Sequence, residues 1–162
     1  MSEEGIPEIR GFRSRAMVWL AHRFFILKRG MTLGVRAACF DAEGRIFLVR
    51  HTYVAGWYMP GGGMERHETA LAALRKELRE EGNLEICGEP ELFHVYYNRN
   101  TGRRDHVLFY QVTVKQTEPR MPDIEIAESG FFALDALPKD ATVATRRRIK
   151  ELSGEAEKSD YW

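Results

Sequence analysis

Residues 62 to 84 read Gly62-Gly63-Met64-Glu65-Arg66-His67-Glu68, then Thr69-Ala70-Leu71-Ala72-Ala73-Leu74-Arg75, then Lys76-Glu77-Leu78-Arg79-Glu80-Glu81-Gly82-Asn83-Leu84. After the Pro60-Gly61-Gly62-Gly63 breaker, the run of helix formers predicts a helix from His67 to about Glu81. Glu77, Glu80 and Glu81 stand at i, i+3 and i+4, so their carboxylates fall within an arc of about 100° and project from one face. Leu71, Leu74 and Leu78 form a neighbouring apolar stripe, expected to press the helix on a sheet and leave the acids at its margin. Helix stability does not ask for such acids. Glu77 and Glu81 repel as an i,i+4 pair, and the last turns are where the helix dipole opposes negative charge. In bulk water two charges about 6 Å apart repel by only about 0.7 kcal/mol, and Lys76 can pair with Glu80. In a half-sheltered cleft the repulsion grows to roughly 3 kcal/mol, and a bound cation reverses its sign. Oxygen ligands alone suit the hard ions Mg²⁺ or Mn²⁺ rather than Zn²⁺.

Outward from this helix the pattern is one of strands. Leu33 to Phe40 and Arg45 to Arg50 read as a hairpin joined by the turn Asp41-Ala42-Glu43-Gly44. Further strands are expected at Leu84–Ile86, Phe93–Tyr97, His106–Lys115 and Glu128–Phe132, and a C-terminal helix at Ala141–Leu152. No repeat or linker divides this region, so it reads as a single α+β, mixed-sheet domain. Residues 12–28 form a separate element. Met17, Leu20, Ala21, Phe24 and Leu27 at helical spacing, flanked by Arg13, Arg15, Arg23 and Lys28, predict a basic amphipathic helix. Packing on its own domain or on a second copy is the first reading of that helix, and contact with a membrane surface or RNA the second. The polar tail after Gly154 is expected to fray until Trp162.

The spacing from Gly62 through Glu68 to the Lys76–Leu84 segment resembles the Nudix box, Gly-x5-Glu-x7-Arg-Glu-U-x-Glu-Glu-x-Gly-U, where U is bulky and aliphatic. All four glutamates, the first glycine and both aliphatic positions match. The lead-in Trp57-Tyr58-Met59-Pro60-Gly61-Gly62 and the segment from Glu125 to Pro138 are similar to the family's flanking parts. Two positions depart from the pattern. Lys76 replaces the family's arginine, exchanging a bidentate guanidinium for a point charge, and Asn83 replaces its closing glycine, the next most tolerant choice for a left-handed residue.

The resemblance implies an α/β/α sandwich: a mixed sheet flanked by helices over residues 30–153, preceded by a helical extension at 1–29 and followed by a polar tail at 154–162. It implies an enzyme that splits the diphosphate of a nucleoside diphosphate linked to another moiety, such as a nucleotide sugar or an ADP-ribose-like compound, using Mg²⁺ or Mn²⁺. Glu77, Glu80 and Glu81 become the catalytic acids and metal ligands, with the Gly62 carbonyl as a further ligand and Glu68 and Lys76 bracing loop and helix. The base that activates water is left open among Glu77, Glu118, Asp123, Glu125 and Glu128, with Glu125 and Glu128 the leading loop candidates. Candidates to meet substrate are Arg36, Arg50 and His51 for phosphate and Trp57, Tyr58, Tyr96 and Tyr97 for a base. Arg99, Arg103 and Arg104 form a basic turn. Two alternatives stay open: a nucleotide-binding or regulatory domain without turnover, hinted at by Lys76, and a 5′-pyrophosphohydrolase of RNA, which would give the basic helix a purpose.

Composition narrows the classes. The 162 residues fit one domain of ordinary size. Lys plus Arg and Asp plus Glu balance at 24 each, which removes the blanket attraction of a general nucleic-acid binder, so no DNA partner is expected. Cys39 and Cys87 form no CxxC pair and read as reduced thiols. No apolar run reaches the roughly 18–20 residues of a membrane span. A cytoplasmic protein, homodimeric if the N-terminal stripe pairs two copies, is the expectation.

Overall fold

In the computed structural model the described residues are 30–99 and 104–162. The helix expected at 12–28 and the turn residue Arg103 lie outside them. Five strands and two helices follow in the order β1 (Thr32–Phe40), β2 (Ile46–His51), α1 (Ala70–Gly82), β3 (Leu84–Asn98), β4 (Asp105–Gln116), β5 (Ile126–Phe132) and α2 (Val143–Leu152). The strands form one mixed sheet in the order β3-β4-β1-β2-β5, with β1 and β4 parallel and the other pairs antiparallel.

Alternation along the strands supplies two cores. Val35, Ala37, Cys39, Phe47 and Val49 face Leu74 and Leu78 of α1, while Ala38, Ile46, Leu48 and Phe109 face Ile149 of α2. Each of these side chains is nearly or fully buried, and burying one leucine or phenylalanine stabilises the fold by about 1.5–3 kcal/mol. The sandwich expected from the sequence is present.

The boundaries shift for local reasons. α1 starts at Ala70 rather than His67, because the Thr69 hydroxyl caps it by accepting from the Ala72 N–H; His67 is held at φ 65° in the preceding loop. Its far end closes on Asn83 in the left-handed region, φ 52°, as the substitution for glycine anticipated. α2 likewise starts after Thr142, whose hydroxyl accepts from the Thr145 N–H. The two strands expected at 84–86 and 93–97 are one long strand, β3, which absorbs Gly88 and Pro90 as irregularities in its register with β4.

The tail is not frayed. The Tyr97 N–H donates to the Asp160 carbonyl and the Trp162 N–H to the Tyr97 carbonyl, so the chain end docks beside β3. There the Trp162 ring packs on Tyr96 and Phe109 at 5.5 Å from each. No helix among the described residues is long and apolar enough to cross a membrane.

One departure from regular pairing positions the site. β1 and β2 pair at Phe40 and Ile46, then diverge. The segment 58–64 fills the resulting fork. Tyr58 exchanges both backbone hydrogen bonds with Val49 of β2, at 2.9 and 2.8 Å, while Ala37, Val35 and Met64 N–H groups bond Pro60, Gly62 and Leu33 carbonyls along β1 at 2.9–3.1 Å. The glycine loop is therefore an extra rung in the sheet, held under the C-terminal half of α1.

Candidate active site

The three acids of α1 share an edge of the helix but not an environment. Glu81 continues the Leu74–Leu78 stripe and is 5% exposed, Glu77 is half-buried, and Glu80 is exposed. The expectation that all three stand at the margin is thus corrected for Glu81, which lies seven residues after Leu74 and follows the helical repeat into the core. Leu71, placed in the stripe from sequence, stays 40% exposed.

The loop accommodates Glu81 through its backbone. The Gly61 N–H donates to Glu81 Oε2 at 2.8 Å. Gly61 adopts φ 140°, and a Cβ there would lie 2.1 Å from the Val35 carbonyl oxygen, so only glycine fits this rung. At Gly62 a Cβ would lie 2.6–2.7 Å from the Glu77 carboxylate, so this second glycine leaves room for an acid. The Gly62 carbonyl accepts from the Val35 N–H at 2.9 Å, which uses one of its two lone pairs.

Burial, foremost, pushes the Glu81 carboxyl up to about 7, with Glu77 and Glu125 adding to the rise and the Gly61 N–H and Arg36 opposing it. Glu77 is raised as well, again chiefly by burial. Burial and the nearby Arg36 charge hold His51 below its usual value, so the imidazole is neutral near pH 7. His51 Nε2 stands 3.7 Å from Glu81 Oε1, and with a neutral imidazole this is no ion pair.

A cleft of about 500 Å³ opens over this helix edge, lined by Glu65, Glu77, Glu80, Glu81, Asp123 and Glu125 against the cations Lys76 and Arg120. The loop that brings in Glu125 is fastened to the end of α1. Arg120 Nε donates to the Glu80 carbonyl at 2.8 Å, Gln116 Nε2 to the Gly82 carbonyl at 2.9 Å, and the Thr117 N–H to the Asn83 carbonyl at 2.9 Å. Arg120 also pairs with Asp123. Asp123 Oδ1 accepts from the Glu125 and Ile126 N–H groups at 2.8 and 2.7 Å, and Arg120 with these two amides holds its carboxyl down at about 2. One ligand atom each from His51, Glu81 and Glu125 lie within 4.8 Å of one another.

The remaining candidates divide. Lys76 Nζ lies 3.2 Å from carboxylate oxygens of both Glu65 and Glu68, and Glu68 Oε2 accepts from the Glu65 N–H at 2.9 Å, so this trio ties the loop to the helix. Arg50 and Glu128 pair with each other at 2.7 Å on facing positions of β2 and β5. Arg50 follows the strand alternation onto the α2 side, away from α1, which removes it as a phosphate contact and Glu128 as a base. Trp57 is 9% exposed and packs edge-on to Phe132, and Tyr96 is fully buried with its hydroxyl donating to Glu151 at 2.6 Å; neither ring can meet a base. Tyr58 is half-buried and donates to the Ala55 carbonyl. Arg36 donates to the Met59 carbonyl at 2.7 Å, bracing the fork loop while its charge acts on Glu81. Arg99 lies over the Tyr161 ring at 3.6 Å, and Glu118 lines a separate surface groove with Arg75 and Arg79.

Two residues beside the acids do not follow from the spacing of the helix. His51, expected to meet phosphate, lies instead beside the Glu81 and Glu125 carboxylates. Tyr53, in the loop after β2, is 69% exposed with its ring 5.2 Å from that of His51. No spacing rule could find either, since β2 and α1 meet only through the fold.

The NUDIX domain family model matches residues 30–152, and the chain belongs to that family. Its structure is similar to a MutT NUDIX hydrolase from Burkholderia pseudomallei, with TM-score 0.63, 26% identity and coverage of 75% of this chain and 97% of that one. It is also similar to an ADP-ribose pyrophosphatase from Streptococcus suis, with TM-score 0.54, 26% identity and coverage of 81% and 95%. A UDP-X diphosphatase covers 92% of this chain and 84% of its own at TM-score 0.52 and 20% identity, a likeness of fold alone. A comparison with curated proteins gave no match. Family and relatives together make the chain a Nudix-type pyrophosphohydrolase.

Proposed function

We propose that the enzyme hydrolyses the diphosphate of a nucleoside diphosphate linked to another moiety, in a reaction dependent on Mg²⁺ or Mn²⁺. The observation that carries this reading is the buried Glu81 carboxylate, set with Glu77 and Glu125 in a cleft where carboxylates outnumber cations. Such a site is costly when empty and suits a divalent ion. Glu77, Glu80 and Glu81 would hold the ion, with Glu125 and the remaining lone pair of the Gly62 carbonyl beside them. When bound, it would neutralise phosphate oxygens and the charge that develops on them during in-line attack.

The protein's own groups do the rest. Glu125, exposed at the cleft mouth and in no ion pair among the described residues, would take a proton from the attacking water through the carboxylate oxygen it does not lend to the ion; Asp123 is engaged by Arg120 and Glu128 by Arg50. Lys76, Glu65 and Glu68 hold the glycine loop to α1, so that Glu77 and Glu81 keep their positions. The exposed Tyr53 face offers an apolar platform for a base at the lip.

The test is a hydrolysis screen of ADP-ribose, nucleotide sugars and nucleoside triphosphates in Mg²⁺, in Mn²⁺ and in EDTA. Metal-dependent release of a nucleoside monophosphate from a diphosphate-linked substrate is expected. Absence of cleavage with either ion, while ADP-ribose still binds, would replace this reading by a non-hydrolytic one.

A further inference from the structure

We infer that His51 is a nitrogen ligand beside the Glu81 and Glu125 carboxylates, making the cleft a mixed nitrogen–oxygen site that takes Mn²⁺ or Co²⁺ in preference to Mg²⁺. This rests on the cleft's being a cation site, though not on which substrate is cleaved.

The position of His51 comes from the sheet. β2 pairs with β5 in regular register as far as Arg50 and Glu128, then shifts at His51. Alternation along β2, which sends Phe47 and Val49 toward α1, sends His51 there as well, and its side chain is 6% exposed. Tyr53 and Tyr58 wall the imidazole, with ring centroids 5.2 and 5.8 Å away.

Walled in this way, the ring leaves one nitrogen unpartnered. Nδ1 is buried with no hydrogen-bond partner among the described residues, and Nε2 at 3.7 Å from Glu81 Oε1 is beyond hydrogen-bond reach. A buried nitrogen without a partner costs about 1–3 kcal/mol, so hydrogen bonding does not account for where this ring sits. The same ring is aimed at two carboxylates, with one donor atom from each residue inside a 4.8 Å span. An imidazole nitrogen and two carboxylates converging on one point can share a single ion.

The donor types then choose among ions. Mg²⁺ demands oxygen ligands in near-octahedral order and keeps several waters. Imidazole nitrogen suits first-row transition ions, whose affinity for mixed nitrogen and oxygen sites rises from Mn²⁺ through Co²⁺. A box of glutamates alone would not discriminate in this way; His51 adds the discrimination from outside the box.

The experiment uses the full chain with the metal alone and no substrate. Pulsed electron paramagnetic resonance of the Mn²⁺-loaded protein should show a directly coordinated ¹⁴N, which changes to the ¹⁵N pattern when only histidine is isotope-labelled. The chain has five histidines, so His51→Gln assigns the signal by losing it. Calorimetric titration should show Mn²⁺ and Co²⁺ affinity falling at least about tenfold in His51→Gln, against less than about twofold for Mg²⁺. The isotope exchange on wild-type protein keeps the test decisive if the variant folds poorly. Mn²⁺ bound without nitrogen coupling, coupling that survives in His51→Gln, or equal losses for all three ions would overturn the inference. Turnover with nitrogen-free Mn²⁺ would overturn it while leaving the hydrolase reading intact, whereas nitrogen coupling without turnover on any diphosphate would do the reverse.

Discussion

Glu81 is the residue at which stability and chemistry pull apart. Its carboxyl is raised from the ordinary glutamate value to about 7, so the folded state holds its proton more tightly than the unfolded chain does. The associated stability is full below about pH 4.5 and is lost as pH rises to about 7. Without metal, Glu81→Gln should therefore be more stable than wild type at pH 8, by on the order of 3 kcal/mol, with the difference vanishing near pH 4. Urea unfolding in EDTA at the two pH values checks this, and equal stability at pH 8 would contradict it. Adding Mn²⁺ should stabilise wild type and leave Glu81→Gln unmoved, while kcat of the variant falls by about a thousandfold or more. Much of this was legible in the sequence, because the spacing from Gly62 to Leu84 names the acids and Leu74 and Leu78 point along the helix to Glu81. For His51 only the face was legible: alternation along β2 sends it to the α1 side with Phe47 and Val49, whereas its meeting with Glu81 and Glu125 depends on how the sheet, α1 and the loop before β5 assemble.

At the scale of elements, the site depends on a glycine loop wedged between two diverging strands and on a second loop fastened to the end of α1. The two adjacent glycines should respond differently to alanine. In Gly62→Ala the atoms nearest the new Cβ are the end of the Glu77 side chain, which can turn aside, so the fold should survive with a melting temperature within a few degrees of wild type while kcat drops at least about tenfold. In Gly61→Ala the Cβ meets the β1 backbone, and stability should fall by about 3 kcal/mol or more. Thermal melts with initial rates on both variants separate a displaced acid from a broken rung. Arg120→Ala should release the loop that carries Glu125, lowering kcat more than it raises KM, with little effect on the melting temperature. The helix, the hairpin turn and the left-handed Asn83 follow from local chemistry and were readable. The strand fork was not, because nothing in Leu33–Phe40 or Arg45–His51 says where two hydrogen-bonded strands will part.

At the scale of the whole molecule, the sheet carries one core toward α1 and the site, and another toward α2 and the chain end. The second is locked by charge. Arg148 is fully buried, donates to Glu151 at 2.6 Å and to the Tyr161 carbonyl at 3.1 Å, and lies over the Tyr96 ring at 3.9 Å. Removing one member of a buried pair leaves the other uncompensated, so Arg148→Met should cost about 3–5 kcal/mol in denaturant unfolding. Activity per folded molecule should stay within about twofold, because the lock faces away from α1. The sequence concealed this arrangement: polar residues 154–160 resemble a loose tail until Trp162 is seen to pack on Tyr96 and Phe109. The central claim, that the acidic edge of α1 exists to hold a divalent ion for diphosphate hydrolysis, is tested most directly by anomalous diffraction from crystals soaked in Mn²⁺. The account predicts a peak at ligand distance from the Glu81 carboxylate that disappears in Glu81→Gln. A wild-type crystal with no peak beside Glu81, with or without ADP-ribose present, would contradict it.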